Sequence, residues 1–286
     1  MIKLGIVSNL YKDPTGENTS KVIHRIIERN MLPMVTDPVF RLLRQGTYCK
    51  EEEELFEHSD IILVLGGDGT ILQTSRSAAK YNKPILGVNL GHLGFLAEAE
   101  MSNLDSILDI IVSGSYKTEY RMMLESKLIR NGQIIESFLA LNDVAVTKGS
   151  FARLIHLDVT INGEFVNHYA ADGLLVSTPT GSTAYSLSAG GPIIFPGMEC
   201  LLMTPICPHT LTSRPIVTDA NAIIEINVTD KNREVQMTID GQYAIELHSN
   251  DKIIISKSKM KTQLVRLPGY GFFNLLRNKL SARNEC

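Results

Sequence analysis

One segment constrains this chain more than any other: Asp60-Ile61-Ile62-Leu63-Val64-Leu65, an almost unbroken apolar run that stops at Gly66-Gly67-Asp68-Gly69-Thr70. A strand wet on one face alternates polar with apolar residues. A run without alternation suits a parallel strand covered on both faces. Ile71 to Lys80 after the turn reads as helix, and Pro84 to Val88 as a second short buried strand. Strand, glycine turn, helix, strand is the grammar of an open α/β sheet. Ile2 to Val7 is predicted as a further strand. Ser20 to Arg29 is predicted as an amphipathic helix, with Val22, Ile23, Ile26 and Ile27 on one face. The four glutamates at 51–54 suit a helix start, where the dipole favours negative charge.

From about residue 120 the pattern changes. Asn131-Gly132, Asn162-Gly163 and Asp240-Gly241 each lie between runs rich in Ile, Val, Leu and Thr. These dipeptides supply the positive φ that tight hairpins need. Leu124 to Val146, Ile155 to Val166 and Ile223 to Leu247 are therefore predicted as antiparallel hairpins, with one helix beginning near Thr183. Leu267 to Leu280 has the spacing of a short amphipathic helix.

The chain has 286 residues, enough for one large domain or two ordinary ones. With 44% hydrophobic residues it can bury a sizeable core, and its net charge of -3 gives no basic footprint for nucleic acid. No apolar stretch approaches the roughly 18–20 residues of a membrane span. The first residues read as a strand rather than a signal peptide. Cys49, Cys200, Cys207 and Cys286 are scattered, with no C-x-x-C pair or Cys/His cluster, which points to no structural zinc or disulfide framework and to the reducing cytoplasm.

Three segments carry candidate chemistry. In Gly66-Gly67-Asp68-Gly69-Thr70, glycines let a backbone approach a phosphate, and N–H groups at a helix start form an anion cradle. Asp68 repels phosphate unless a metal or a hydroxyl lies between, yet suits the role of general base; the alternative is a plain Gly-Asp-Gly turn. Between Ser177 and Ser188 there are seven Ser or Thr residues. Their hydroxyls either hold a ribose or phosphate, with Tyr185 stacked on a base, or Ser182 or Thr183 caps a helix and Tyr185 packs in the core. Gly91-His92-Leu93-Gly94-Phe95-Leu96 is a second glycine-rich turn, in which His92 reads as structural. Asn142-Asp143, on a predicted strand, and the rigid loop Pro205 to Pro215 carry no special signal by themselves.

Together these residues resemble the NAD kinases, the ATP:NAD 2′-phosphotransferases. The resemblance rests on GGDGT at 66–70, GHLGFLAE at 91–98, DGLLVSTPTGSTAYSLSAGGP at 172–192 and PHTLTSRP at 208–215, in the family's order. The long Ser/Thr-rich segment separates NAD kinases from the diacylglycerol and sphingosine kinases and the phosphofructokinases, which share a similar glycine turn. The resemblance implies that Asp68 is the catalytic base for the adenosine-ribose 2′-hydroxyl. It implies that Gly66, Gly67, Gly69 and Thr70 border the phosphate donor. As NAD contacts it implies Asp68, Gly69, Phe95, Asn142, Asp143, Arg153, Asp172, Thr183, Ala184, Tyr185, Ser186, Leu187, Ser188 and Gln242. Two positions depart from the family pattern: Asp143 where many members carry Glu, and Ala170 where some carry a basic residue.

The expectation is an α/β N-terminal domain with an open, Rossmann-like sheet over 1–115, a β-rich NAD-binding domain over 116–264, a substrate cleft between them, and a tail over 265–286 packing back on the first domain. The activity implied is transfer of the γ-phosphoryl of ATP to NAD, with Mg²⁺ carried by ATP rather than by protein ligands. The partners implied are NAD, ATP and further copies of the chain, with no nucleic acid and no membrane. A lipid kinase would need a hydrophobic acceptor groove, which the hydroxyl-rich 177–188 segment does not suit. A non-catalytic nucleotide sensor would gain nothing from a carboxylate at Asp68.

Overall fold

The computed structural model describes residues 1–91, 94–149, 154–210, 212–229, 234–269 and 271–281. They fall into two compact units. One joins Met1–Tyr120 to the stretch from Thr262 onward, and the other is Arg121–Lys261.

The first unit is built on parallel strands. β1 (Lys3–Ser8), β2 (Leu32–Thr36), β3 (Thr47–Cys49), β4 (Ile61–Gly66) and β5 (Pro84–Asn89) lie in the order β5-β4-β1-β2-β3, and Gln263 and Leu264 run parallel beside Pro84 and Ile85. Every residue of β4 is buried, as its unbroken apolar run requires. Between the strands run α1 (Glu17–Glu28), α2 (Asp37–Leu43), α3 (Glu52–His58) and α4 (Asp68–Lys80); β6 (Ala99–Glu100) and α5 (Leu104–Ser113) follow β5. Val22, Ile23 and Ile26 of α1 and Leu108 and Ile111 of α5 share one core with Leu4, Ile6, Leu63 and Leu65 of the sheet. The predicted helix at 20–29 thus begins three residues earlier, at Glu17, because the buried Asp13 carboxylate accepts from Asn18 N and Thr19 N and satisfies two N–H groups of its first turn.

The second unit is β-rich, as expected. It contains the hairpin of β7 (Lys117–Arg130) and β8 (Gln133–Ala140), then β9 (Asp143–Lys148), β10 (Ile155–Ile161), β11 (Glu164–Ala171), β12 (Gly173–Ser177), the single-turn α6 (Tyr185–Ser188), β13 (Cys200–Ile206), β14 (Ile216–Asp219), β15 (Ile224–Val228), β16 (Val235–Ile239), β17 (Tyr243–Leu247) and the start of β18 (Lys252–Arg266). One set of neighbours is β11-β10-β15-β18 and a second sheet has the order β14-β13-β12-β9-β16-β17. Their apolar faces share one core, including Leu157, Ile224, Ile253, Val146, Val176 and Met237. α7 (Phe272–Ser281) ends the described chain.

The three turn dipeptides behave as their sequence requires. Asn131, Gly132, Asn162, Gly163, Asp240 and Gly241 all have positive φ, between 50° and 80°. Two of the predicted hairpin stretches divide differently, however. β9 leaves β8 and pairs with β12 and β16, and β15 pairs with β10 and β18 rather than with β16. Hydrophobic alternation specifies the buried face of a strand, but it does not specify the neighbour.

Candidate active site

In the first unit the chain passes from β4 through Gly66-Gly67 into α4, whose first residue is Asp68. Both Asp68 oxygens are engaged. Oδ2 accepts from Phe95 N at 2.8 Å, and Oδ1 accepts from Leu96 N at 3.1 Å and from Ala97 N at 3.4 Å. The two glycine-rich motifs are therefore one structure, joined by this carboxylate. Gly94 is obligatory for the contact, because a Cβ there would lie 1.9 Å from Asp68 Oδ1. Thr70 sits in the first turn of α4, where its Oγ1 accepts from the Asn9 amide at 3.0 Å, and Gly69 is exposed beside it. Phe95 is half-buried in the turn, while His92 lies outside the described residues.

In the second unit, Asn142 and Asp143 stand at the entry to β9 and are fixed from two directions. The Asp240 carboxylate accepts from Leu141 N at 3.2 Å, Asn142 N at 2.7 Å and Asp143 N at 3.2 Å. From the other side Thr178 N donates to Asn142 O at 2.9 Å, and a Cβ on Gly181 would lie 2.1 Å from that same carbonyl oxygen. Gly181 is thus glycine for close approach and not for its backbone angles. The Asp143 side chain is 4% exposed. Burial, helped by the neighbouring Asp240 charge, pushes its carboxyl up to about 7.

Asp172, between β11 and β12, forms an ion pair of 2.7 Å with Lys148 Nζ. Together with Thr147, Tyr185, Ile206, Gln236 and Thr238 these two line a cavity of about 360 Å³. The Ser/Thr-rich segment divides its labour. Ser186 is buried, with its Oγ 2.9 Å from Thr204 Oγ1, and the Ser182 hydroxyl donates to Pro179 O and accepts from Ile194 N. Ala189 and Ile194 of the same segment pack over β9, β12 and β13, which explains why β12 and β13 are buried along their whole length. Thr183, Ala184 and Leu187 are half-buried, and Ser188 is exposed. Tyr185 is 45% exposed, so it is no core residue, and partial burial pushes its phenol up, with Cys207, Asp143 and Asp172 adding to the effect. Gln242 is exposed in the β16–β17 turn, and Arg153 lies outside the described residues.

The chain matches the model of the ATP-NAD kinase N-terminal domain over residues 4–116 and that of the ATP-NAD kinase C-terminal domain over residues 141–267. The NAD kinase of Thermoanaerobacter sp. is 42% identical over 283 residues, which cover 99% of this chain and all of that one. The chain belongs to the ATP-NAD kinase family. The NAD kinase of Acetivibrio thermocellus is 39% identical over 286 residues, covering 100% of this chain and 99% of its relative. Among solved NAD kinase structures, yeast NADH kinase complexed with NADH superposes with a TM-score of 0.88 at 28% identity, covering 100% of this chain and 89% of that one. An Archaeoglobus fulgidus NAD kinase in complex with ATP gives 0.77 at 26%, covering 98% and 99%.

Three residues that hold or line this site carry no such signal in the sequence. Asp240 was visible only as half of an Asp-Gly turn, yet it also holds the backbone of 141–143. Lys148 lies two residues beyond the predicted stretch Leu124 to Val146, at the end of β9, and carries no signal of its own. Thr178 was one hydroxyl among seven, and its Oγ1 both donates to Leu141 O and accepts from Gly181 N. Each acts on residues far away in sequence, which local spacing does not encode.

Proposed function

We propose that this NAD kinase family member transfers the γ-phosphoryl of ATP to the 2′-hydroxyl of the adenosine ribose of NAD, giving NADP and ADP, with Asp68 as the general base. The observation that carries the role of Asp68 is its placement. A carboxylate at the start of α4, next to a glycine turn, is held by three backbone N–H groups rather than left to rotate. Each carboxylate oxygen has two lone-pair directions, so three N–H donors leave one free for a substrate hydroxyl. The transferred phosphoryl group calls for little covalent work by the protein, so positioning and charge stabilisation dominate.

On this reading Gly66, Gly67, Gly69 and Thr70 border the donor phosphates, and Asn142, Asp143, Asp172, the 183–188 segment and Gln242 hold the acceptor. Arg153 belongs to the same acceptor set by resemblance alone. Asp143, with its carboxyl near neutrality, can donate to one ribose oxygen or accept from a hydroxyl without a full buried charge. The relatives solved with NADH and with ATP support this pairing of acceptor and donor.

No cluster of three His, Cys, Asp or Glu side chains fit to hold a metal occurs among the described residues. A divalent ion, which we take to be Mg²⁺, would enter on the phosphates of ATP and neutralise their charge there. No described helix is long and apolar enough to cross a membrane. The scattered cysteines support a cytoplasmic location, and the family resemblance a homo-oligomer.

The test is NADP formation from NAD, ATP and Mg²⁺ by the wild type beside Asp68→Asn. The base is expected to be worth roughly two to four orders of magnitude in turnover. A folded Asp68→Asn variant with near-normal turnover would remove Asp68 from the chemistry. A folded wild type that makes no NADP would overturn the activity itself.

A further inference from the structure

Asp240 stands in the turn between β16 and β17, and the turn alone does not call for a charge there. Its φ is 50°, and Asn131 and Asn162 hold the same place in the other two tight turns at 51° and 53°. An amide therefore meets the conformational demand as well as a carboxylate does. The carboxylate serves a neighbouring strand instead. Leu141 and Asn142 lie between β8 and β9. Leu141 N donates to Asp240 Oδ2, and Asn142 N and Asp143 N both donate to Oδ1. Three donors thus converge on a side chain that is 8% exposed, and both of its oxygens must accept. Asn has one acceptor oxygen, so it would turn its NH2 group toward one of these N–H groups. Asp240 N donates in return to Asp143 O at 2.9 Å, which closes the link in both directions.

Strand register sets what surrounds the Asp143 side chain. Ile239 of β16 pairs with Val144, so Asp240 falls opposite Asp143, and on β12 the opposite residue is Ser177. Thr178 N donates to Asn142 O, and bonded and unbonded pairs alternate along an antiparallel ladder. Ser177 and Asp143 are therefore an unbonded pair, the kind whose side chains lie closest. Ser177 is fully buried, and its hydroxyl has no hydrogen-bond partner among the described residues. The Tyr185 phenol of α6 is within electrostatic reach of Asp143, and the Lys148 ammonium pairs with Asp172. The charge set directly beside Asp143 is thus that of Asp240, of the same sign. A second buried acid there does nothing for stability; its effect is to keep the proton on Asp143.

We propose that Asp240 is a positioning residue of the acceptor site: through the backbone it sets the direction from which Asn142 and Asp143 meet NAD, and by its charge it makes Asp143 a hydrogen-bond donor there. The inference rests on the reading of Asn142 and Asp143 as acceptor contacts given above, and it adds the residue that sets their geometry and their form. Asp240 acts through these two residues, 97 to 98 positions earlier in the chain.

The experiment uses the full chain and its Asp240→Asn, Asp240→Glu and Asp143→Asn variants. Calorimetric titration with NAD, without ATP, is repeated at pH values on both sides of the Asp143 transition. With Asp143 as donor, wild-type affinity falls as pH rises through about 7. Asp240→Asn is expected to weaken NAD binding roughly 10- to 100-fold, since a displacement of about 1 Å in a positioned group reaches the upper figure. It should also move the fall to lower pH, because the neighbouring charge is gone while burial, the larger cause, remains. Asp240→Glu keeps the charge and should keep the wild-type midpoint, while its extra methylene misplaces the backbone and lowers affinity. Asp143→Asn stays a donor at every pH and should lose the fall. In steady-state assays KM for NAD should rise in Asp240→Asn while KM for ATP stays put. An Asp240→Asn variant with wild-type affinity and midpoint overturns the proposal. So does a wild type whose NAD affinity does not fall through about pH 7, and so does a parallel rise in both KM values, the mark of a merely structural role. If Asp240→Asn does not fold, Asp240→Glu and Asp143→Asn decide by the same affinity and midpoint. A wild type that binds no NAD overturns the proposal together with the acceptor reading. A wild type that binds NAD but forms no NADP sinks the phosphoryl transfer instead, and Asp240 is then judged on binding alone.

Discussion

Replacing Asp143 by Asn separates the charge of this side chain from its shape. The carboxyl is buried, and burial together with the Asp240 charge raises it from 3.8 to about 7. At about 1.36 kcal/mol per pKa unit, that rise corresponds to about 4 kcal/mol by which the fold disfavours the ionised form. The sign follows from proton binding. The folded chain keeps this proton up to about pH 7, whereas the unfolded chain releases it near 3.8. Between those values the folded state binds more protons, so its stability falls as pH rises, by up to about 1.4 kcal/mol per pH unit. Below the unfolded value the penalty is absent, and above the folded value it is complete. Asn cannot ionise, so the variant lacks this slope. Urea unfolding of both proteins across the range from about pH 4 to about pH 8 reads the difference, and groups that titrate identically in the two cancel on subtraction. The variant should gain on wild type steadily up to about pH 7 and then level off, with a total change of up to about 4 kcal/mol. Curves that remain parallel would refute a buried, uncompensated carboxyl at this position.

Further outcomes follow from other contacts. Gly94→Ala should push the Asp68 carboxylate off its three N–H donors and lower turnover by roughly two to four orders of magnitude, with circular dichroism unchanged; full turnover would show that the latch does not position the base. Arg266 is 17% exposed and faces Glu98 and Glu119, and Leu267 N donates to Glu98 at 2.9 Å. Arg266→Met should remove the guanidinium from both carboxylates and cost about 3–5 kcal/mol in chemical denaturation, since Glu98 is already pushed up by burial. Burial pushes the Asp251 carboxyl up, but Arg130 and His248 N outweigh it and hold it below its ordinary value. Its contribution is therefore present above about pH 4 and lost as pH falls further, so the stability gap between wild type and Asp251→Asn should shrink in acid; a gap that widens there contradicts the assignment.

The elements of the fold were legible wherever one local rule dominates. The run 60–65 could only be a strand covered on both faces, and all six residues of β4 are buried. Asn131-Gly132, Asn162-Gly163 and Asp240-Gly241 could hardly avoid tight turns, since Asn, Asp and Gly tolerate positive φ. The four glutamates at 51–54 do open a helix, three of them in the first turn of α3. The candidate site was legible as types of residue: a carboxylate among glycines, and hydroxyls beside an acidic residue. The hydroxyl-rich run concealed a split, because Ser182 and Ser186 face inward and hold the segment to β13 and its surroundings while Thr183 and Tyr185 do not.

By itself, then, the sequence determined which stretches become strand, helix and turn, and which glycines, acids and hydroxyls are available for chemistry. Periodicity and turn propensity act over a few residues and are written in the local order. The tertiary structure alone decided which of these meet. Asp68 joins N–H groups 27 to 29 residues further on, and Asp240 holds the backbone of residues 97 to 99 positions earlier. Such pairings depend on how strands order themselves in a sheet. Strand order is set by burying all the apolar faces at once, and no single segment carries that information.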